Sequence, residues 1–354
     1  MRVAVLGVGL IGGSVALAAR ERTGATVAGY DRSPAALHAA LRRGALDDAC
    51  DDPAAAVRDA DAVFAAAPVS ALDALIGAAL AAAGEGCVVT DVGSTKRAVV
   101  AAHEDPRFVG GHPLAGAETA GVGHARADLF DGAVWYLTPS ERTSGALYER
   151  LHRLLVSLGA RPTAIDAAAH DRMLAAVSHL PHVLANVLVA QAATALGGER
   201  LPAIGPSFRD ATRVAGAPSA IWTDIYLSNR DALIAELDGA IERLRGVRAS
   251  LQSAEGPALT AWNEAAAADR RRLVERDLAG AETFELRVSV ANRPGVVARL
   301  ALELGDGGVN IADMALYPAD DGSTGVIALW IAGEDASARA TALIEGLGFP
   351  VARP

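Results

Sequence analysis

Positions 1–165 alternate short apolar runs with stretches of helical period. Apolar runs at Arg2–Leu6, Thr26–Tyr30, Asp61–Pro68, Cys87–Val92, Arg107–Gly110, Ala133–Leu137 and Arg161–Ile165 are strand-length and bounded by turn residues, so they read as buried strands. Ser14–Arg20, Leu72–Ala83 and the stretch from Lys96 to His103 read as helices between them. This alternation predicts a Rossmann-type, doubly wound α/β domain with a parallel sheet over 1–165. From Ala167 the period becomes helical throughout 166–280. His170–Leu196 is an apolar helix that Pro181 should kink or break. Ala203–Ala217 is a segment bounded by Gly and Pro, and Ile221–Leu251 is a helix in which Trp222 should be packed. Ala265–Leu278 is Arg-rich and reads as a solvated helix or linker. A third pattern fills 283–354: strand Phe284–Val290, helix Val296–Gly305, strands Val309–Leu316 and Thr324–Ala332, helix Ala336–Gly346 and strand Phe349–Ala352. That order, βαββαβ, predicts a ferredoxin-like unit.

Composition narrows the class. The chain has 354 residues and a formal net charge of −10, with no basic block, so neither nucleic acid nor an anionic membrane is an expected partner. Basic residues are almost all arginine, and Lys96 is the only lysine. Cys50 and Cys87 have no metal or redox spacing, which fits a reduced, cytoplasmic protein. The apolar start, Met1 to Ala19, superficially resembles a signal peptide, but Gly7, Gly9, Gly12 and Gly13 interrupt it.

Those glycines have a better explanation. The first strand runs into Gly7-Val8-Gly9-Leu10-Ile11-Gly12, then a helix, then a strand ending at Asp31, nineteen residues past Gly12. In this context Gly7 makes the tight turn, Gly9 lets backbone approach a pyrophosphate, and Gly12 permits close helix–strand packing. The helix start at Leu10 and Ile11 offers free N–H groups to phosphates. Asp31 would accept hydrogen bonds from ribose hydroxyls and repel a 2′-phosphate, favouring NAD over NADP, although Arg32 leaves some room for the latter.

Two further polar residues follow predicted strands. Ser94 comes just after Cys87–Val92, and His112 just after Arg107–Gly110. Pro113 holds His112 out of helical geometry. Both should project over the sheet edge that carries the nucleotide loop, where ligands bind in such folds. Ser94 also reads as a helix N-cap, and Lys96 as a solvated first-turn residue. His179 and His182, three apart, lie near one helix face, but no nearby Asp, Glu or Cys completes a metal-ligand set. Asp210 and Arg213 are spaced to meet on a helix. Arg213 is a candidate carboxylate anchor.

Taken in order, GVGLIGGS, DVGSTK, GHPLAGAE, SHLPH and DATRVAG resemble the motifs of the prephenate/arogenate dehydrogenase family of tyrosine biosynthesis. NRPG and GVNI in the tail resemble an ACT domain, a regulatory amino-acid-binding module. The resemblance implies NAD-dependent oxidative decarboxylation of prephenate to 4-hydroxyphenylpyruvate. It makes His112 the catalytic histidine, Ser94 its hydrogen-bonding partner and Arg213 the anchor of a substrate carboxylate. It places His179 near the substrate side chain, and Glu118 and Asp210 near the site entrance. The chemistry suits His112 as a neutral imidazole of near-ordinary pKa that accepts the ring-hydroxyl proton. The family's helical domain dimerises, so a homodimer is expected. An amino acid, tyrosine foremost, is expected at the C-terminal module near Asn292, Gly295 and Asn310. Alternatives are arogenate dehydrogenase, a β-hydroxyacid or imine reductase on the same plan, and a non-catalytic amino-acid sensor.

Overall fold

The computed structural model describes residues 1–353 apart from 117–118, 198–204, 276–281, 292–295, 297–299, 301–302, 305–306, 310 and 320–322. Two compact units, Met1–Arg243 and Leu244–Pro354, divide the chain.

The first unit is built on an eight-stranded sheet. Its strands are β1 (Arg2–Leu6), β2 (Thr26–Tyr30), β3 (Asp48–Ala49), β4 (Ala62–Ala65), β5 (Val88–Asp91), β6 (Phe108–Pro113), β7 (Val134–Thr138) and β8 (Arg161–Ala164). Their spatial order is β3-β2-β1-β4-β5-β6-β7-β8. The first six positions follow the 3-2-1-4-5-6 order of dinucleotide-binding folds, with a switch point between β1 and β4. The sheet is not parallel throughout. β7 pairs antiparallel with β6, and β8 pairs parallel with β7, so the last two strands run the other way. β3, only two residues long, has no run from which it could be foreseen. Successive residues point to opposite faces. Val3, Val5, Phe64, Val88 and Trp135 pack on one side, and Ala4, Leu6, Val63, Ala65 and Val89 on the other.

Helices cover both faces: α1 (Leu10–Thr23), α2 (Pro34–Arg42), α3 (Pro53–Val57), α4 (Val69–Ala82), α5 (Arg97–Ala102) and α6 (Gly145–Ser157). α2 and α3 start the same way. Ser33 and Asp52 accept the N–H of Ala36 and Ala55, and a proline occupies the first turn.

The helical part follows: α7 (Ala167–Leu174), a π-turn at Ala175–His179, α8 (Leu180–Ala195), α9 (Pro206–Thr212), a 3-10 turn at Arg213–Gly216, α10 (Ser219–Ser228) and α11 (Arg230–Gln252). Pro181 does not break the helix; it sits in the first turn of α8, directly after the π-turn. The expected helix Ile221–Leu251 is instead two, parted at the buried Asn229. By length and composition Ala167–Ala195 could cross a membrane, yet its buried side chains include His170, Asp171, His179 and His182, which belong to a polar interior site. Val177, Val187, Leu188, Ile221, Leu227 and Ile234 are exposed apolar residues of this region.

In the second unit α12 (Gly256–Glu275) begins nine residues before the expected Arg-rich segment. Strands β9 (Thr283–Ala291), β10 (Ile311–Pro318), β11 (Thr324–Ala332) and β12 (Val351–Ala352) form an antiparallel sheet in the order β10-β11-β9-β12. With α13 (Glu334–Gly346) it encloses Leu286, Val288, Ile327, Leu329, Ala340 and Ile344. Most of the expected helix Val296–Gly305 lies outside the described residues, as do Asn292, Gly295 and Asn310.

Candidate active site

The nucleotide half of the cleft is made of backbone. Gly7 has φ +101°, and a Cβ there would run into the carbonyl of Ala66. A Cβ on Gly12 would strike the carbonyl of Gly7. Gly9 is different, with no heavy atom within 4 Å of where its Cβ would be, so its backbone opens onto the cleft. α1 starts beside it with no side-chain cap and no acid in its first turn, leaving its N–H groups for an anion. Gly9, Leu10, Ile11 and Gly12 line a cavity of about 560 Å³. Across the Gly7 turn lies a second cavity bordered by Tyr30, Asp31 and Arg32. There Asp31 accepts the N–H of Val8 at 2.7 Å and of Ser33 at 2.8 Å, which fixes its carboxylate at the end of β2. A tight loop in which Gly7 and Gly12 leave no room for a Cβ, an open helix start and a fixed acid fit a dinucleotide.

The other half is made of side chains. β6 does not stop at Gly110; it continues through Pro113 because residues 110–113 pair with β7, and His112 lies opposite Tyr136. Gly110 and Gly111 let this strand pass close to its neighbours: a Cβ on Gly111 would meet the Asp91 carbonyl and Thr90. His112 is buried and borders a cavity of about 640 Å³, together with Ser94, Ser178, His179, Arg213 and Trp222. Ser94, Ala115, Arg213, Trp222 and Ile225 border both this cavity and that of the glycine loop, so the two are continuous.

Ser94 and His112 therefore meet at one cavity, but no hydrogen bond joins them. His112 Nδ1 pairs instead with His170 Nε2 at 2.9 Å, and His170 Nδ1 with Asp171 Oδ1 at 2.8 Å. Asp171 also accepts the backbone N–H of Lys96 at 2.7 Å and of Arg97 at 2.9 Å. Burial pushes its carboxyl up, but the bonds from His170, Arg97 and Lys96 outweigh this and hold it below the ordinary carboxylate value. His112 does not keep the near-ordinary pKa expected from sequence. Burial, then the neighbouring His170, Lys96 and His179, push it well below.

Lys96 is not solvated. Its side chain is fully buried, its ammonium ion-paired with Asp91 and donating to the Gly111 carbonyl at 2.8 Å. Asp91 in turn accepts the N–H of Gly111 at 3.0 Å and of Gly93 at 2.8 Å. The lone lysine thus ties the end of β5 to the residue before His112.

His179, at the end of the π-turn, is buried and reaches the cavity. Asn229 Nδ2 donates to His179 Nδ1 at 3.2 Å and to the Asp171 carbonyl at 2.7 Å. Burial pushes His179 down to about 4. It is neutral at pH 7, and with Nδ1 accepting, its Nε2 carries the hydrogen. His182, one turn on, stacks on Trp222 at 3.6 Å and bonds the Tyr226 hydroxyl, so it backs the cavity wall. Arg213 starts the turn after α9 and borders both cavities. Asp210 lies exposed on α9 and borders neither. Glu118 lies outside the described residues. Among the described residues, no group of three or more His, Cys, Asp or Glu could hold a metal ion.

Residues 15–164 match the prephenate dehydrogenase nucleotide-binding domain and residues 166–264 the prephenate dehydrogenase dimerization domain. A prephenate dehydrogenase of Bacillus subtilis is 31% identical over 97% of this chain and 95% of its own. The chain belongs to the prephenate dehydrogenase family. Among solved structures, prephenate dehydrogenase from A. aeolicus in complex with hydroxyphenyl propionate and NAD+ superposes with a TM-score of 0.70 at 27% identity, over 77% of this chain and 98% of that one. Synechocystis arogenate dehydrogenase gives 0.67 at 27%, over 77% of this chain and 100% of that one. For this family member, sequence reasoning missed His170, Asp171 and Asn229 and misread Lys96. One signal was available for Lys96: in a chain whose other basic residues are all arginine, a single lysine stands out.

Proposed function

We propose that the chain is an NAD-dependent prephenate dehydrogenase, converting prephenate to 4-hydroxyphenylpyruvate and carbon dioxide in tyrosine biosynthesis. The observation that carries this reading is a family match along nearly the whole chain, joined to a glycine-loop cavity that runs into a cavity bordered by His112 and Arg213.

Bound NAD would lie along Gly7–Gly12 and Asp31 and accept a hydride from C4 of the substrate ring. His112 would take the proton of the C4 hydroxyl as it becomes a carbonyl, a contribution of ~10²–10⁴ in rate. Ser94 would hydrogen-bond the same hydroxyl from the nucleotide side. Arg213 would hold a substrate carboxylate through charge-assisted hydrogen bonds. His179, presenting an N–H, suits an oxygen acceptor on the pyruvyl side chain rather than an ammonium. Among the described residues bordering the His112 cavity none is a carboxylate, which favours the keto acid over arogenate. Loss of carbon dioxide yields an aromatic ring and makes the step effectively irreversible.

The exposed apolar residues of the helical region support a homodimer through that face, and sedimentation would read its mass. The C-terminal sheet and helix, with NRPG and GVNI, support an ACT-type module that binds tyrosine. Removing residues 283–354 should leave turnover and abolish inhibition by tyrosine; retained sensitivity would move inhibition to the active site.

The deciding experiment is cofactor reduction by purified protein, with prephenate and arogenate each tested against NAD and NADP. Prephenate with NAD should be turned over fastest. Turnover of arogenate alone would keep the chemistry and change the substrate. No turnover in any pairing would leave a sensor.

A further inference from the structure

His170 and Asp171 stand behind His112, out of the cavity, and a single base has no need of them. Their hydrogen bonds fix more than orientation. Asp171 is a buried carboxylate with an N–H on each oxygen, from Lys96 and Arg97, so it is ionised and can only accept. His170 Nδ1, 2.8 Å from Asp171, must therefore donate. With a single N–H on the His170 ring, the premise of the relay below, Nε2 is bare and accepts. His112 Nδ1, 2.9 Å from it, must then carry hydrogen. That leaves His112 Nε2 as the bare nitrogen available to the cavity.

We propose that the base of this enzyme is a relay of two histidines: His112 takes the substrate proton on Nε2 and gives the proton on its Nδ1 to His170 Nε2, so that the positive charge rests on His170 against Asp171. This goes beyond the reading of His112 as the base and rests on it. The proton count closes. One proton enters at His112 Nε2, one moves from His112 to His170, and His170 keeps its Nδ1 hydrogen on Asp171. After product leaves, the same steps in reverse return one proton to cavity water.

The surroundings explain why the charge should move. Three groups near His112 disfavour a cation on it: Lys96 from the start of α5, His179 from the π-turn, and His170 itself once charged; Tyr136 lies opposite it on β7 and Arg213 borders the same cavity. Burial acts in the same direction. Against His170 stand the carboxylate of Asp171 and the ring of Tyr136, edge-on at 5.6 Å. Asp91, the other buried acid, is already paired with Lys96. Transfer across 2.9 Å thus carries a cation from the side of an ammonium to the side of a carboxylate.

His170→Gln tests this. The amide oxygen of glutamine can still accept from His112 Nδ1, so the tautomer survives, but it cannot take a proton. The expected result is a fall in kcat on the order of 10²-fold, the lower range for general-base loss, with KM for prephenate within about twofold. The acid limb of the kcat/KM profile belongs to the coupled pair in the parent. In the variant the proton must sit on His112 alone, so that limb should move to lower pH. An unmoved acid limb, whatever the rate, would overturn the relay, since a merely structural role lowers activity without displacing it. A second measurement needs no turnover. Nitrogen-15 NMR of histidine-labelled full-length enzyme should find neutral His112 protonated at Nδ1, assigned by the loss of its signals in His112→Asn. Protonation at Nε2 instead would overturn the relay. Parent enzyme inactive on prephenate would fail the functional reading, which is a separate outcome.

Discussion

The two halves of the cleft are built from different materials. The nucleotide half is backbone: Gly7 and Gly12, where a Cβ would strike a carbonyl, the open Gly9, an uncapped helix start and one acid held by two N–H groups. The substrate half is side chains brought from the start of α5, β6, α7, the π-turn and the start of α11: Lys96, His112, His170, Asp171, His179 and Asn229, all buried. Backbone sites are local in sequence, and Asp31 is the one titratable group named in this half. Side-chain sites are assembled over long separations and depend on which protons are present. The first half should therefore tolerate changes of pH and fail on changes of shape, and the second half the reverse.

The sharpest test removes the proposed base. His112→Asn should lower kcat by ~10²–10⁴ and leave the KM for prephenate and the affinity for NAD nearly unchanged. Stopped-flow reduction of NAD reads all three. An unchanged kcat would remove His112 from the mechanism and with it the contrast between the halves.

Next in size is the buried lysine. Lys96→Met leaves Asp91 without its counter-charge in a fully buried position, and breaking one side of such a pair costs about 3–5 kcal/mol. Denaturant unfolding should read that loss. If instead the variant is as stable as the parent, Asp91 is protonated without its partner and the ion pair serves position rather than stability.

These two residues also mark where the sequence could and could not be read. Seven of the eight strands, the glycine loop and Asp31 were legible because each rests on a pattern within about thirty residues, with the shape of the turn encoded in the residue types themselves. β3 was not, being two residues that pair only because β2 is already placed. The reversed direction of β7 left no local trace either, yet it carries β6 on through His112. In the site, His112 and Arg213 stood out by chemical type and motif. His170 and Asp171 did not, because a histidine and an aspartate at the start of an amphipathic helix read as surface residues until the fold sets them behind His112, 58 residues away. Asn229 was hidden in what looked like one helix. Long-range partners, rather than elements, were what the sequence withheld.

Arg213→Gln comes third. It should raise the KM for prephenate by about 10–100-fold, the worth of a charge-assisted hydrogen bond of roughly 1.5–3 kcal/mol, with a smaller change in kcat. Product-analogue binding by calorimetry separates the two. A fall confined to kcat would mean that Arg213 acts on the transition state and not as an anchor. The same variant should leave NAD binding almost intact even though the residue borders both cavities; a large loss there would show that the halves are not separable at this side chain.

The last test is the change of stability with pH, and it discriminates the halves most directly. His179 titrates at about 4 in the folded protein and near 6.5 when unfolded. Between these values the unfolded chain holds a proton that the folded chain refuses, so folding stability rises with pH across the interval. Its contribution is complete above about 6.5 and is lost as pH falls toward 4. His112, also depressed, acts with the same sign. The melting temperature of the parent should therefore decline from pH 7 to pH 4.5. His179→Phe, which cannot take the proton, should flatten part of that decline while being less stable at pH 7 through the lost Asn229 contact. A parallel decline in parent and variant would mean that His179 is already protonated in the fold, and its N–H could not then be the neutral donor that fits a keto acid.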